Sequence, residues 1–171
     1  MTVKQPESSR HRFIETARHR NELTFIIVTL AVYVVGIATN NSAVLVVAAA
    51  LALIEKIISY STLVSDLSGG NQVHLFDVFS AYISHFLIFN SLVNALLIAD
   101  PLNYDITNPT DNFTDAFNYT LPISFTQGFG DMVAKSRVAK YVQSFQSLDS
   151  LVLTLTFGTY VLTSFVGKIK F

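Results

Sequence analysis

Long apolar runs separated by short polar breaks constrain this chain more than any other feature of its sequence. The first run, residues 23–39, carries no charge. A helix needs about 20 mostly apolar residues to cross the hydrocarbon core of a bilayer, and roughly 17 to 25 are tolerated. Three further runs meet that length: residues 43–64, 75–99 and 145–167. The sequence therefore predicts an all-α membrane protein with four transmembrane helices.

Composition agrees with a membrane protein and argues against several other classes. Charged residues make up 13% of the chain and hydrophobic residues 51%, whereas roughly a quarter of an ordinary soluble domain is charged. The chain has no cysteine, so disulfides, thiolate metal sites and cysteine nucleophiles are excluded. Because no nucleophile–base–acid set is recognisable, we predict no enzyme activity.

Polar residues between and within the runs predict how the helices connect and pack. A three-residue break, Asn40 to Ser42, predicts a tight hairpin between the first two helices. Glu55 and Lys56 interrupt the second run, but apolar residues continue on both sides. The third run carries polar residues at spacings of three, four and seven: Asp77, Ser80, Ser84, Ser91 and Asn94. That polar face is expected to contact protein and not lipid. In the same run, interhelical hydrogen bonds are predicted for three residues: His85, Asn90 and Asn94.

Basic residues indicate how the chain crosses the membrane. They cluster at both ends of the chain: Lys4, Arg10, Arg12, Arg18, Arg20, Lys168 and Lys170. Since basic residues are enriched in cytoplasmic segments, both termini are predicted on the cytoplasmic side of a cell membrane. Residues 10–22 have two interpretations: a basic helix lying on anionic lipids of the inner leaflet, or a disordered tail that only sets topology. No nucleic-acid partner is expected.

A polar segment between the third and fourth runs contains the pattern on which the functional prediction depends. A helix too short to cross the bilayer is expected to begin near Thr114 or Asp115, whose side chains can accept from free backbone N–H groups. Glycines follow at positions 128 and 130 and permit backbone angles that other residues resist. Such a strip can turn its carbonyls toward one axis, and four strips would then replace the hydration shell of a cation.

Residues 126–131, Thr-Gln-Gly-Phe-Gly-Asp, resemble the selectivity filter of the potassium-channel superfamily, whose usual form is Thr-Val-Gly-Tyr-Gly-Asp. The order of outer helix, pore helix, filter and inner helix is similar as well, over about residues 80–166. Downstream, residues 131–140 are similar to the family's stretch that leads into the inner helix, with Lys140 as its basic residue. A basic cluster would then belong to the outer rim of the pore: Lys135, Arg137 and Lys140.

The resemblance implies roles for individual residues. Thr126 would give its carbonyl and its hydroxyl to the innermost ion site. Further backbone carbonyls would come from Gln127, Gly128 and Phe129. Gly130 would allow the outermost turn, and Asp131 would brace the filter against the pore helix. One strip cannot encircle an ion, so a homotetramer is implied, with potassium as the permeant ion and no cofactor.

Several positions depart from the family pattern. Gln127 replaces a small β-branched residue and needs partners for its buried amide, Phe129 lacks the tyrosine hydroxyl, and Phe125 stands where a second threonine is usual. Pro122 removes one N–H inside the pore helix and predicts a kink or an early end. Two alternatives therefore stay open: a non-selective or non-conducting channel relative, and a small membrane scaffold or transporter subunit.

The fourth run contains an acid in a predicted span. A buried carboxylate in a membrane is costly and usually functional. Four copies of Asp149 would ring the cavity below the filter, or Asp149 pairs with a neighbouring helix, for example with His85 or Lys56. Ser150 aligns with the family's flexible inner-helix glycine. Gly158 is either a substitute hinge or a small residue for close helix packing.

The predicted organisation has three parts: a basic cytoplasmic segment (1–22), a transmembrane hairpin (23–64) and a pore module (75–167). Within the pore module, we expect an outer helix, a re-entrant pore helix with its filter loop, and an inner helix: residues 75–99, 114–131 and 142–167.

Overall fold

The computed structural model of this chain describes residues 7–68, 75–125 and 132–166, with the backbone alone for residues 7–19, 67 and 163–166. Five helices account for most of the described residues: α1 (Glu7–Ala38), α2 (Ser42–Ser68), α3 (Leu75–Ala99), α4 (Asn112–Ser124) and α5 (Arg137–Val166). Two short strands flank α4: β1 (Tyr104–Ile106) and β2 (Met132–Ala134). A turn of 3-10 helix, Pro101–Asn103, leads from α3 into β1.

Three helices in the described part of the chain are long and apolar enough to cross a membrane: Arg20–Ala38, Ser42–Asp66 and Leu75–Ala99. These agree with the first three predicted spans. The fourth predicted span lies in α5, which has 30 residues but is not among the three. Helix α5 carries polar residues both where it packs against other helices and on an exposed face, so it is less apolar than the three candidate spans.

The α1–α2 hairpin forms as its polar break predicts. Asn40 adopts a positive φ of 50°, a left-handed conformation that asparagine tolerates better than most residues. The side chain of Asn41 then accepts from the N–H groups of Ala43 and Val44, at 3.0 and 3.3 Å, and so begins α2. Both features turn the chain within three residues.

The N-terminal basic segment is continuous with the first span. From Glu7 to Ala38 the backbone is a single helix of 32 residues, so residues 10–22 are neither a separate surface helix nor a disordered tail. At about 1.5 Å per residue, such a helix is about 48 Å long, longer than a hydrocarbon core of about 30 Å.

Helix α3 lies at the centre of the molecule and contacts each of the other four helices. Of the apolar stretch with which α3 could cross a membrane, 67% is buried inside the protein, whereas 22% of the corresponding stretch of α1 is buried. The predicted polar face is confirmed, because each of its members is at most 1% exposed: Asp77, Ser80, Ser84, Ser91 and Asn94. This face is turned toward protein, as expected for polar groups in a bilayer.

The segment between α3 and α5 contains a small antiparallel ladder that the all-helical expectation missed. Tyr104 pairs with Ala134, and Ile106 pairs with Met132. Asn103, just before β1, connects the ladder to the end of α3, because its side chain donates to the carbonyl of Leu96 at 2.9 Å. With three residues per strand, the ladder is too short to produce a recognisable alternating pattern.

Candidate functional site

The candidate site is built around α4, a helix of 13 residues between α3 and α5. At about 1.5 Å per residue it is about 20 Å long and cannot span a bilayer core of about 30 Å. Its cap is Asp111, whose carboxylate accepts from the backbone N–H of Thr114 at 3.0 Å and from its hydroxyl at 2.7 Å. The predicted start at Thr114 or Asp115 was therefore late. Asp115 instead accepts from Thr110, outside the helix.

The helix continues past Pro122 and ends at Ser124, so the early end predicted from that proline is wrong. Phe125 closes the last turn by donating its N–H to the carbonyl of Pro122 at 3.2 Å. The next residues of the chain are the filter-like strip, which lies outside the described residues: Thr126, Gln127, Gly128, Phe129, Gly130 and Asp131.

The ladder joins the two sides of this strip. Strand β1 precedes α4, and strand β2 begins at Met132, directly after the strip. The ring of Tyr104 in β1 packs edge-on against that of Tyr119 in α4, with centroids 5.3 Å apart. Burial, with a smaller effect from Tyr119, raises the pKa of the Tyr104 phenol, which keeps it neutral. Lys135, one of the predicted rim residues, pairs with Asp105 across the ladder at 3.5 Å.

Gln146 of α5 contacts the C-terminal end of α4. Its side-chain amide donates to the carbonyl of Thr120 at 2.9 Å and to the hydroxyl of Ser124 at 3.3 Å. Gln146 is fully buried. Because both contacts are made to the C-terminal end of α4, the amide of Gln146 fixes where that end lies against α5.

A charged junction joins α2, α3 and α5 next to that last turn. Lys56 of α2 forms an ion pair with the carboxylate of Asp149 in α5. The same carboxylate oxygen lies 2.7 Å from Nδ1 of His85 in α3. Lys56 and His85 are buried, whereas 30% of the Asp149 side chain is exposed. Of the two predicted positions for Asp149, the structure therefore has the one paired with neighbouring helices.

The other nitrogen of His85 faces α4 and α5. Nε2 lies 3.2 Å from the hydroxyl of Ser124 and 3.1 Å from that of Ser150. Ser150 is fully buried at this contact. We refer to these five residues as the charged junction: Lys56, His85, Ser124, Asp149 and Ser150.

Two other buried polar clusters join α3 to the hairpin and do not include α4 or α5. Tyr33 of α1 donates to the side chain of Asn90, and Asn94 lies 3.4 Å from the same phenol oxygen. In α2, the carboxylate of Glu55 accepts from Ser59 at 2.6 Å and from Ser80 at 3.1 Å. With His85, Asn90 and Asn94 confirm the interhelical role predicted for them.

One face of α5 is exposed and rich in small and polar side chains. Its members recur at steps of three and four residues, and we call them the α5 stripe: Lys140, Ser144, Ser147, Leu151, Thr154 and Gly158. Asp149 lies nine positions after Lys140, which is about two and a half turns of 3.6 residues. Asp149 is thus on the opposite side of α5, where it lines an apolar groove of about 780 Å³ beside α2 and α3.

Gly158 is the last residue of the stripe. A Cβ atom built there would meet nothing within 4 Å. Close packing of helices within one copy of the chain therefore does not explain this glycine. Its role as a hinge stays a prediction.

Comparison with protein-family models, with characterised proteins and with solved structures finds no match. The resemblance of the filter-like strip to the potassium-channel superfamily therefore rests on the sequence motif and the order of helices.

Sequence reasoning missed three contributors to this site: Asp111, Ser124 and Gln146. The cap at Asp111 has a readable signal, because aspartate is among the preferred residues at the start of a helix. Ser124 and Gln146 are separated by 22 positions and are joined by a 3.3 Å contact. No local pattern indicates such a contact.

Proposed function

We propose that this chain is the subunit of a passive cation channel that conducts potassium, with four copies arranged around one axis. Backbone carbonyls of residues 126–130 would form the filter. Helices α1, α2, α3 and α5 would be the four transmembrane helices, with both termini in the cytoplasm. The basic N-terminal segment would then face anionic lipids of the inner leaflet.

The observation that carries the proposal is the position of α4. A helix too short to span, packed between two long helices, leads directly into the motif at residues 126–131. The carbonyl end of a helix carries about half a negative charge. With that end directed at the pore axis, α4 would favour a cation there, as in pores whose ion sites are built from backbone carbonyls.

The α5 stripe supports the same function independently. Five of its six members are serine, threonine, glycine or lysine, one on each successive turn, and the stripe is turned away from the other helices. Polar groups in a membrane usually face protein or water. In a fourfold assembly this stripe would line the path below the filter, and the charged junction would lie behind it.

Flux through proteoliposomes tests the proposal. Purified protein is reconstituted, and rubidium uptake is compared with sodium uptake. We expect rubidium uptake to exceed sodium uptake by at least about tenfold, the ratio that roughly 1.4 kcal/mol of selectivity gives. Gly128→Ala should abolish uptake, because a side chain resists the backbone angles required there. Gly70→Ala, in the segment between the second and third runs, is the matched control and should conduct normally.

Three outcomes would contradict the proposal in different ways. Equal uptake of both ions would indicate a non-selective relative. A folded, fourfold protein without uptake would indicate a non-conducting one. A protein that is not fourfold by native mass measurement, and in which Gly128→Ala changes nothing, would indicate a membrane scaffold.

A further inference from the structure

Among the described residues, the hairpin, the central helix, α4 and α5 meet through polar side chains at the charged junction. We infer that His85 is a positioning residue for the end of α4, which directly precedes the filter-like strip in the sequence, and that it couples the Lys56–Asp149 ion pair to Ser124 there. This inference rests on the proposed channel function and adds to it a means by which α2 affects the pore.

The contacts of the charged junction matter because two of its charged or titratable side chains are buried. Lys56 is 7% exposed and His85 is fully buried, in a region where a charged group without a partner is very costly. The ammonium of Lys56 and Nδ1 of His85 both contact the same carboxylate oxygen of Asp149. A substitution at Lys56 therefore changes the hydrogen bond that Asp149 makes with His85.

The carboxylate determines which nitrogen of His85 carries the hydrogen. An ionised carboxylate only accepts hydrogen bonds, and a neutral imidazole has one donor and one acceptor nitrogen. Because Nδ1 lies 2.7 Å from Asp149, Nδ1 holds the hydrogen. Nε2 is then an acceptor and needs a hydroxyl donor.

Two hydroxyl groups can supply that donor. Ser150 lies 2.8 Å from the carbonyl of Gln146, and Ser124 lies 2.9 Å from the carbonyl of Thr120. A hydroxyl has a single hydrogen, so donating to Nε2 withdraws it from a carbonyl. The carbonyl of Thr120 has a second donor, the amide of Gln146 at 2.9 Å. Because both carbonyls also accept a backbone N–H within their own helices, either hydroxyl can turn to His85 without leaving a buried carbonyl unpaired, and Ser124 is the one that belongs to α4.

The result is a chain of dependent hydrogen bonds from α2 to the end of α4. Lys56 keeps Asp149 ionised, Asp149 sets the tautomer of His85, and that tautomer sets the direction of the Ser124 hydroxyl. Ser124 is two residues before Thr126, where the strip begins. Loss of the ion pair frees the imidazole to reverse its tautomer, and the last turn of α4 loses a fixed contact.

The experiment measures ion selectivity in variants of the junction. The reversal potential under a potassium–sodium gradient gives the permeability ratio and does not depend on how many channels have folded. Lys56→Met and Asp149→Asn should each lower that ratio about fivefold, the effect of one hydrogen bond worth about 1 kcal/mol. Lys56→Arg keeps the charge and should restore the wild-type ratio.

Glu55→Gln is the matched control. Glu55 is the neighbouring residue, is equally buried and also joins α2 to α3, but its contacts are with Ser59 and Ser80 and not with α4 or α5. Its permeability ratio should stay at the wild-type value. A ratio lowered equally in Glu55→Gln and Asp149→Asn would overturn the inference, as would a wild-type ratio in Asp149→Asn. Absence of current in the wild-type protein would instead reject the proposed function.

A spectroscopic measurement tests the inference without conduction. Nitrogen-15 shifts of His85, assigned among the chain's four histidines with His85→Gln, report which ring nitrogen is protonated. We expect protonation at Nδ1 in the wild-type protein and in Glu55→Gln, and a changed pattern in Lys56→Met. Protonation at Nε2 alone in the wild-type protein would overturn the inference.

Discussion

Asp111 illustrates how single polar residues define the candidate site at the residue scale. Its carboxylate binds a backbone N–H and a hydroxyl of Thr114, and both contacts stabilise the charged form. The Thr114 hydroxyl, with a further contribution from its N–H, lowers the pKa of Asp111. The start of α4, and with it the position of the short helix, depends on a side chain that is itself exposed.

The cap predicts a pH dependence. A lowered folded-state pKa means that the stabilisation by Asp111 is complete above the ordinary pKa of aspartate and is lost as the pH falls through the folded-state value. Asp111→Ala should lower the thermal midpoint at pH 7, whereas Asp111→Asn should keep most of the cap. Circular dichroism in detergent measures both.

At acid pH, the difference in thermal midpoint between the wild-type protein and Asp111→Asn should be smaller than at pH 7, because only the wild-type cap titrates. A difference that is constant between pH 7 and pH 3 would show that the charge of Asp111 does not contribute to the cap.

At the scale of elements, the α1–α2 hairpin depends on close contact at one glycine. A Cβ atom at Gly36 would stand 2.8 Å from the side chain of Leu45 and 3.2 Å from its backbone nitrogen. Leu45 is fully buried and therefore has little room to move. Small residues at helix interfaces are typical of membrane proteins, because they let two backbones approach.

Gly36→Ala should therefore destabilise the hairpin. We expect the free energy of unfolding to fall by about 1–3 kcal/mol, the usual cost of overpacking, measured by denaturation in detergent micelles. Gly158→Ala is the matched control, since its added methyl group meets nothing and alanine favours a helix. Equal destabilisation by the two substitutions would mean that the Leu45 contact is not the cause.

At the scale of the whole molecule, α3 connects two bodies: the hairpin on one side, and α4 with α5 on the other. The polar clusters at Asn90 and Glu55 connect the hairpin to α3 by hydrogen bonds. The charged junction connects the hairpin and α3 to α5 and α4 in the same way. A second contact between α2 and α5 joins Tyr60 to Thr156 at 3.0 Å. The hairpin is therefore attached to the candidate pore by specific polar contacts as well as by apolar packing.

The α5 stripe predicts which side of that helix meets water in the assembled protein. Because the chain has no cysteine, single cysteines can be introduced on a clean background. Ser147→Cys should react with a charged thiol reagent about tenfold faster or more than Val152→Cys, which lines the apolar groove, since charge is costly in lipid. Faster reaction at Val152→Cys would place the aqueous path on the other side of α5.

The sequence alone was sufficient for the features that depend on local order. Apolar runs predicted four spans, of which three are found among the described helices. The break at Asn40 predicted the hairpin, and the spacing from Asp77 to Asn94 predicted a buried face, because length and periodicity are properties of a single helix. The tertiary structure decided the partners of Asp149 and the support of Ser124 by Gln146. Those contacts depend on how helices rotate against one another, and rotation is set by packing among residues that are distant in the chain.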